Sequence, residues 1–259
     1  MMATVDIERQ DGVATLWLAR PERKNALSPP LIEALHEALA KVADDPTVRC
    51  VVLAGRGGTF CAGGDLGGGM LPEGGMVEAE RLRGRYGALL LALRQLSVPV
   101  IAAVEGVAMG GGLGLVAACD LAVASVGARL GTPELKVGLF PYVISAFLRR
   151  DVPRKALAAL IYDAEPVSAE VALSLGLINR VVPEGEAVVA AQAWAASVAR
   201  HSRAALSLGK RAMAETEDRD LAAAVAHLNG RLTLGLLTED AAEGVAAFFG
   251  KRPPAWNHR

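Results

Sequence analysis

The stretch VAMGGGLGLV, Val107 to Val116, sets three consecutive glycines at the start of an apolar run that otherwise reads as a helix. Inside a helix, glycine costs about 1 kcal/mol relative to alanine. Three together therefore point to a backbone conformation, or a close approach, that side chains would block, and a ligand is the first candidate for what approaches. The run just before, VIAAVEG (Val100 to Gly106), has the length and β-branched content of a buried strand, so the order is strand, glycines, helix.

The same order is found upstream. GVATLWLARP (Gly12 to Pro21) and VRCVVLAG (Val48 to Gly55) read as strands, and between them SPPLIEALHEALAKVADDP (Ser28 to Pro46) reads as a helix. Ser28 is its expected N-cap and Pro29 its first helical position, with Leu31, Leu35, Leu39 and Val42 on one face. A helical stretch from Glu78 to Leu96 then leads through Pro99 into VIAAVEG. DLAVAS (Asp120 to Ser125) is a further strand, and turn residues Gly131, Pro133, Gly138 and Pro141 follow it. From Pro153 the pattern is mostly helical, interrupted by the strand LINRVV (Leu177 to Val182). The glycine-rich GGGMLPEGG (Gly67 to Gly75) is expected to be a mobile loop. Alternating strands and helices make this an α/β chain with a largely parallel sheet.

The 259 residues are 52% hydrophobic and 21% charged, as in a well-packed globular protein. Net charge is −1 and the basic residues are spread along the chain, so nucleic acid and anionic membranes are not expected partners. Cys50, Cys61 and Cys119 are odd in number and widely spaced, which argues against a disulfide framework or a zinc site. No signal-peptide pattern opens the sequence and no apolar run reaches about 18 residues. The expectation is a cytoplasmic protein. His36, His201, His227 and His258 show no H-E-x-x-H spacing and lie in no site motif, so no metal is expected and Cys61 reads as packing.

The second glycine-rich segment is TFCAGGDL (Thr59 to Leu66), directly after the strand and turn VVLAGRGG. If the two strands lie side by side, the backbone N–H groups of Gly64 and Gly111 converge, the latter opening a helix with about +0.5 charge at its end. Such a point binds an anion: a phosphate, or an oxyanion forming on a carbonyl. No Walker A lysine follows either run. GLGLVA (Gly112 to Ala117) does match the dinucleotide pattern G-x-G-x-x-A, with Glu134 lying 20 residues after Gly114. That reading leaves MGGG and CAGGD without a purpose.

Five segments in order resemble the enoyl-CoA hydratase/isomerase, or crotonase, superfamily: RPERKNALS (Arg20 to Ser28), FCAGGDL, VEGVAMGGGLGLVAACDLAVAS (Val104 to Ser125), LGTPELKVGLFP (Leu130 to Pro141) and EGVAAFFGKRPPAW (Glu243 to Trp256). The resemblance implies an α/β fold, a crotonase-type spiral of ββα repeats with a C-terminal helical region. It places the catalytic core in residues 1–200, and in 201–259 helices that serve oligomerisation and close the coenzyme A site. It also implies acyl-CoA thioester substrates, no cofactor beyond the coenzyme A they carry, and homotrimers or dimers of trimers. Gly64 and Gly111 match the oxyanion-hole positions and Glu134 the family's second catalytic glutamate. Gly114 stands where the family has its first. Ala62 matches an adenine contact, Arg23 and Lys24 match bases near the nucleotide phosphates, and Phe248 and Lys251 match C-terminal coenzyme A contacts.

A lone glutamate suits a 3-enoyl-CoA to 2-enoyl-CoA isomerase. GLGL together with GLFPYVISAF also resembles hydratases of branched or carboxylated enoyl-CoAs, and hydration is the reading favoured. A non-catalytic acyl-CoA-binding or assembly subunit is the third reading that Gly114 leaves open. Tyr142, Val143 and Phe147, downstream of Glu134, are expected to shape the acyl pocket. Asp65 is expected to cap the helix after the first glycine segment, and Glu105 and Asp120 to be structural.

Overall fold

Asp11 and Gly12, both with positive φ (49° and 83°), turn the chain between two antiparallel strands, β1 (Val5–Gln10) and β2 (Val13–Leu18). This hairpin opens the computed structural model, which describes residues 4–65, 67 and 75–258. Strand β1 is not among the strands expected from the sequence. Its pattern VDIERQ is half polar because it is the edge of the sheet.

Ser28 caps α1 (Pro29–Ala43) as expected, accepting the Leu31 N–H, and Leu31, Leu35, Leu39 and Val42 are buried together. The next strand, β3 (Cys50–Gly55), is followed by α2 (Gly75–Gln95), β4 (Val100–Val104) and β5 (Val107–Met109). The expected mobile loop Gly67 to Gly75 falls largely on residues 68–74, outside the described ones. Helix α3 (Gly111–Ala118) leads to β6 (Leu121–Ser125) and β7 (Arg129–Gly131), and a short 3-10 turn, Pro133–Val137, leads to α4 (Tyr142–Asp151). Beyond these come α5 (Arg154–Tyr162), β8 (Val167–Ser168), α6 (Ala169–Ser174), β9 (Arg180–Val182), α7 (Ala187–Val198), α8 (Arg203–Thr216), α9 (Leu221–Leu236) and α10 (Glu239–Phe249).

The larger sheet has the order β1-β2-β3-β4-β6-β9, parallel from β2 onward. Its central strands are covered on both faces, which explains their unbroken apolar runs. On one face lie α1, α2 and α3. On the other Ala187, Ala191, Ala195 and Ala199 bring α7 close against Val52, Ile101 and Val123. Glu105 fixes α7 by accepting the N–H groups of Ala187 (2.7 Å) and Gly185 (3.3 Å), and Asp120 accepts the Val100 N–H and pairs with Lys210. Both carboxylates are structural, as expected.

The expected strand VIAAVEG is β4, and a second strand that the sequence did not announce, β5, follows it directly. Gly106, with φ 61°, turns the chain out of the large sheet at Val104 and into a small one, β5-β7-β8. Each repeat thus lays one strand in the large sheet and a second segment beside it: β4 then β5, β6 then β7. The earlier repeats do the same with shorter pieces, for Cys61 bridges Ala108 and Gly64 bridges Leu27 in parallel register. This is the expected spiral of ββα turns.

Past residue 201 the chain is helical. Helix α9 buries none of its residues, and α8 and α10 bury few. Asp240, in the first turn of α10, ties the start of α8 and the C-terminal tail together by accepting the Ser202 hydroxyl and the N–H groups of Asn257 and His258. No helix among the described residues is long and apolar enough to cross a membrane.

Candidate active site

The spiral places the two glycine segments on adjacent turns. Cys61 exchanges bonds with β5, donating to Val107 O and accepting from the Met109 N–H, while Leu27 donates to Gly63 O and accepts from the Asp65 N–H. Gly63, at φ +96°, reverses the alternation between these two pairings. The Gly64 N–H is therefore directed away from Leu27, along the edge that faces β5 and α3. Nothing among the described residues accepts it. A Cβ on Gly63 would stand 2.8 Å from Met109 O and 3.8 Å from the Gly111 nitrogen, which fixes how near the second segment lies. Gly111 is the first residue of α3, and its N–H also lacks an acceptor, as the opening turn of a helix requires.

Glu134 meets this pair from the third turn. The Gly110 N–H donates to Gly131 O at 2.8 Å, which ties the start of α3 to the end of β7, and Pro133 then starts the turn that carries Glu134. Thr132 anchors that turn through its hydroxyl on Leu160 O. Gly110 adopts φ 51°, and a Cβ there would lie 2.9 Å from Glu134 Oε1. The other carboxylate oxygen, Oε2, is buried without a hydrogen-bond partner among the described residues. Burial pushes the Glu134 carboxyl above its ordinary 4.5, opposed only by its own backbone N–H.

The glycine run is required mainly by protein neighbours. Gly111 faces Leu27 Cδ1 at 2.8 Å, Gly112 lies against the Cys61 carbonyl, and Gly114 against the Tyr86 hydroxyl and Ile144. Close packing accounts for these bare positions and a ligand is not needed to explain them. It also removes the dinucleotide reading, since Gly112 and Gly114 lie inside α3, covered by Cys61, Tyr86 and Ile144. Cys61 is buried, with its thiol pushed up to about 12, and it packs as expected. Asp65 has a partner that the sequence did not announce. Among the described residues its carboxylate pairs with Arg20 at 3.1 Å, and the segment it was expected to cap lies largely outside them.

Among the expected coenzyme A residues, Ala62 donates its N–H to Lys24 O at 3.0 Å, which brings the exposed Arg23 and Lys24 beside it. Asn25, fully buried, supports that loop by donating to the carbonyls of Arg56 and Thr59. Phe248 and Lys251 stay exposed at the end of α10, and no hydrogen bond or ion pair joins them to Arg23, Lys24 or Ala62 among the described residues. On α4, Val143 faces Gly87 of α2, Tyr142 is exposed beside Phe140, and Phe147 packs on the core. Ile144 and Tyr86, which the sequence did not single out, are the residues that reach Gly114. No grouping of three or more metal-binding side chains occurs among the described residues.

Two amides without an acceptor among the described residues, one of them at a helix start, with a half-buried carboxylate beside them, have the chemistry to hold an oxyanion and to move a proton next to it. The sequence profile described as enoyl-CoA hydratase/isomerase matches residues 8–259. The chain belongs to this family. It is 34% identical to the human enoyl-CoA hydratase domain-containing protein 3, mitochondrial, over 248 residues, covering 96% of this chain and 82% of the human one. The crystal structure of an enoyl-CoA hydratase from Mycobacterium smegmatis superposes with a TM-score of 0.93 at 39% identity, covering 98% of each chain. That of the human domain-containing protein 3 gives 0.92 at 32% identity, over 98% of this chain and all of that one. The crotonase fold, with its C-terminal helices, is thereby shared with family members of known structure.

Proposed function

We propose that the chain is an enoyl-CoA hydratase that works with one carboxylate. The thioester oxygen accepts the Gly64 and Gly111 N–H groups, and as water adds to C3 that oxygen gains enolate charge. Each such donor contributes about 2.7 to 4 kcal/mol when charge develops in a dry site. Glu134 takes a proton from the attacking water, whose hydroxyl bonds to C3, and the carboxyl then gives the proton to C2. The buried, unpartnered Oε2 of Glu134 beside the start of α3 carries this reading, because a carboxylate oxygen desolvated without a bond is costly unless it serves a proton transfer. Arg23, Lys24 and Ala62 hold the nucleotide end of coenzyme A in this reading, with Phe248 and Lys251 closing over it.

A second reading, isomerisation, is favoured by position 114, which is occupied by Tyr86 and Ile144 and carries no second carboxylate. There Glu134 takes a proton from C2 of a 3-enoyl thioester and returns it at C4. The two are separated by supplying a 2-enoyl-CoA and a 3-enoyl-CoA and following the ultraviolet absorbance of the conjugated thioester. Loss from the first is the expected result. Gain from the second instead assigns isomerisation, and no change with either, across chain lengths and branched acids, leaves an acyl-CoA-binding or assembly subunit.

A further inference from the structure

Tyr86 is a buried residue of α2 whose phenol takes part in none of the steps above. Its hydroxyl donates to the Gly111 carbonyl at 2.6 Å. The same oxygen occupies the space into which any side chain at 114 would grow, and it lies 3.4 Å from where a Cβ on Gly111 would be. The N–H and the carbonyl of one residue lie in different peptide planes joined through φ and ψ, so while Gly111 keeps the helical dihedrals of α3, holding its carbonyl also sets the direction of its N–H. Gly110, Gly111 and Gly112 contribute no side chain to packing, so the turn is held through its backbone, by the Gly110 N–H on Gly131 O and by the Gly111 carbonyl on Tyr86. Burial raises the phenol well above its ordinary 10, so at neutral pH it remains a hydrogen-bond donor.

We propose that Tyr86 is a positioning residue: by tying the Gly111 carbonyl to α2, it holds the first turn of α3 in the orientation that presents the Gly111 amide to the thioester oxygen. The inference rests on the oxyanion reading of Gly64 and Gly111 and deepens it. It also gives Gly114 a reason. The hydroxyl and any side chain at 114 are mutually exclusive, and Ile144 closes the remaining space.

The test uses 3-phenylpropenoyl-CoA, whose conjugated thioester absorbs further to the red when its carbonyl is polarised by hydrogen bonds. The wild-type protein is expected to shift the bound probe's band to the red. Tyr86→Phe, which keeps the ring and removes only the hydroxyl, is expected to lose at least half of that shift and about tenfold in kcat with little change in KM. Leu90→Val, a loss of packing one turn along the same helix, serves as the stability control: it lowers the melting temperature and keeps the shift. A Tyr86→Phe protein with the full wild-type shift overturns the positioning role while leaving the oxyanion reading intact. A wild-type protein that binds the probe without any shift overturns the oxyanion reading and this inference with it. A wild-type shift without turnover, lost in Tyr86→Phe, supports the positioning and removes only the reaction assigned above.

Discussion

Glu134, the proton carrier of the proposed reaction, is a group that the fold holds at a cost. Its folded carboxyl binds a proton more tightly than the unfolded one, so its contribution to stability is present below about 4.5 and is lost as pH rises through the folded value. At neutral pH the charge therefore opposes folding. Glu134→Gln is expected to raise the melting temperature slightly, to lower turnover by about 10²- to 10⁴-fold, and to leave acyl-CoA affinity near normal. For the wild type, the acid limb of kcat/KM is expected to lie above the ordinary carboxylate value, which a pH–rate profile reads directly. Gly110→Ala is expected to cost about 1 to 3 kcal/mol, because the new Cβ meets both an unfavourable φ and the Glu134 carboxylate. Its kcat should fall more than its stability alone explains, by up to about a hundredfold if the carboxylate moves by an ångström. Glu134 and the two glycines proposed as oxyanion donors were legible in the sequence because each sits in a local pattern. Tyr86 was not, since it reaches the site from 25 residues upstream of Gly111 by the packing of one helix on another.

Elements were legible where one period or one cap dominated. Ser28 and Pro29 announce α1, and the apolar runs at β3 and β4 announce buried parallel strands. The elements missed are those that depend on a neighbour. Strand β1 alternates at a sheet edge, and β5 is only three residues held by β7 and Cys61. Helix α4 starts directly after a stretch of turn residues. Helix α7 depends on a single distant carboxylate in a comparable way. Glu105→Ala removes the acceptor for Ala187 and Gly185, and denaturant titration should show a loss of about 1.5 to 3 kcal/mol. Glu105→Gln, which keeps one acceptor, should recover part of it.

Several large apolar side chains of the C-terminal helices stand exposed. Leu221, Leu232 and Leu236 of α9 are 81%, 62% and 67% exposed, and Phe248 and Phe249 stand edge to face on α10 at more than three-quarters exposure. An apolar helix face of this extent marks an association surface. A trimer, or a pair of trimers, is the assembly we propose for it, and light scattering on the purified protein should return three or six times the chain mass. Leu232→Glu combined with Leu236→Glu should shift the species toward monomer without unfolding the spiral, and a wild-type monomer at micromolar concentration would refute the assignment. Composition alone indicated a well-packed globular chain, but not that its second helix from the end would lack a buried residue.

Crowding around Gly114 also constrains anyone wishing to redesign the enzyme. Any side chain introduced there alone has to displace a phenol oxygen and an isoleucine methyl, since its Cβ would start 2.3 Å from one and 2.4 Å from the other. Grafting a second acid would require smaller residues at 86 and 144 in the same step.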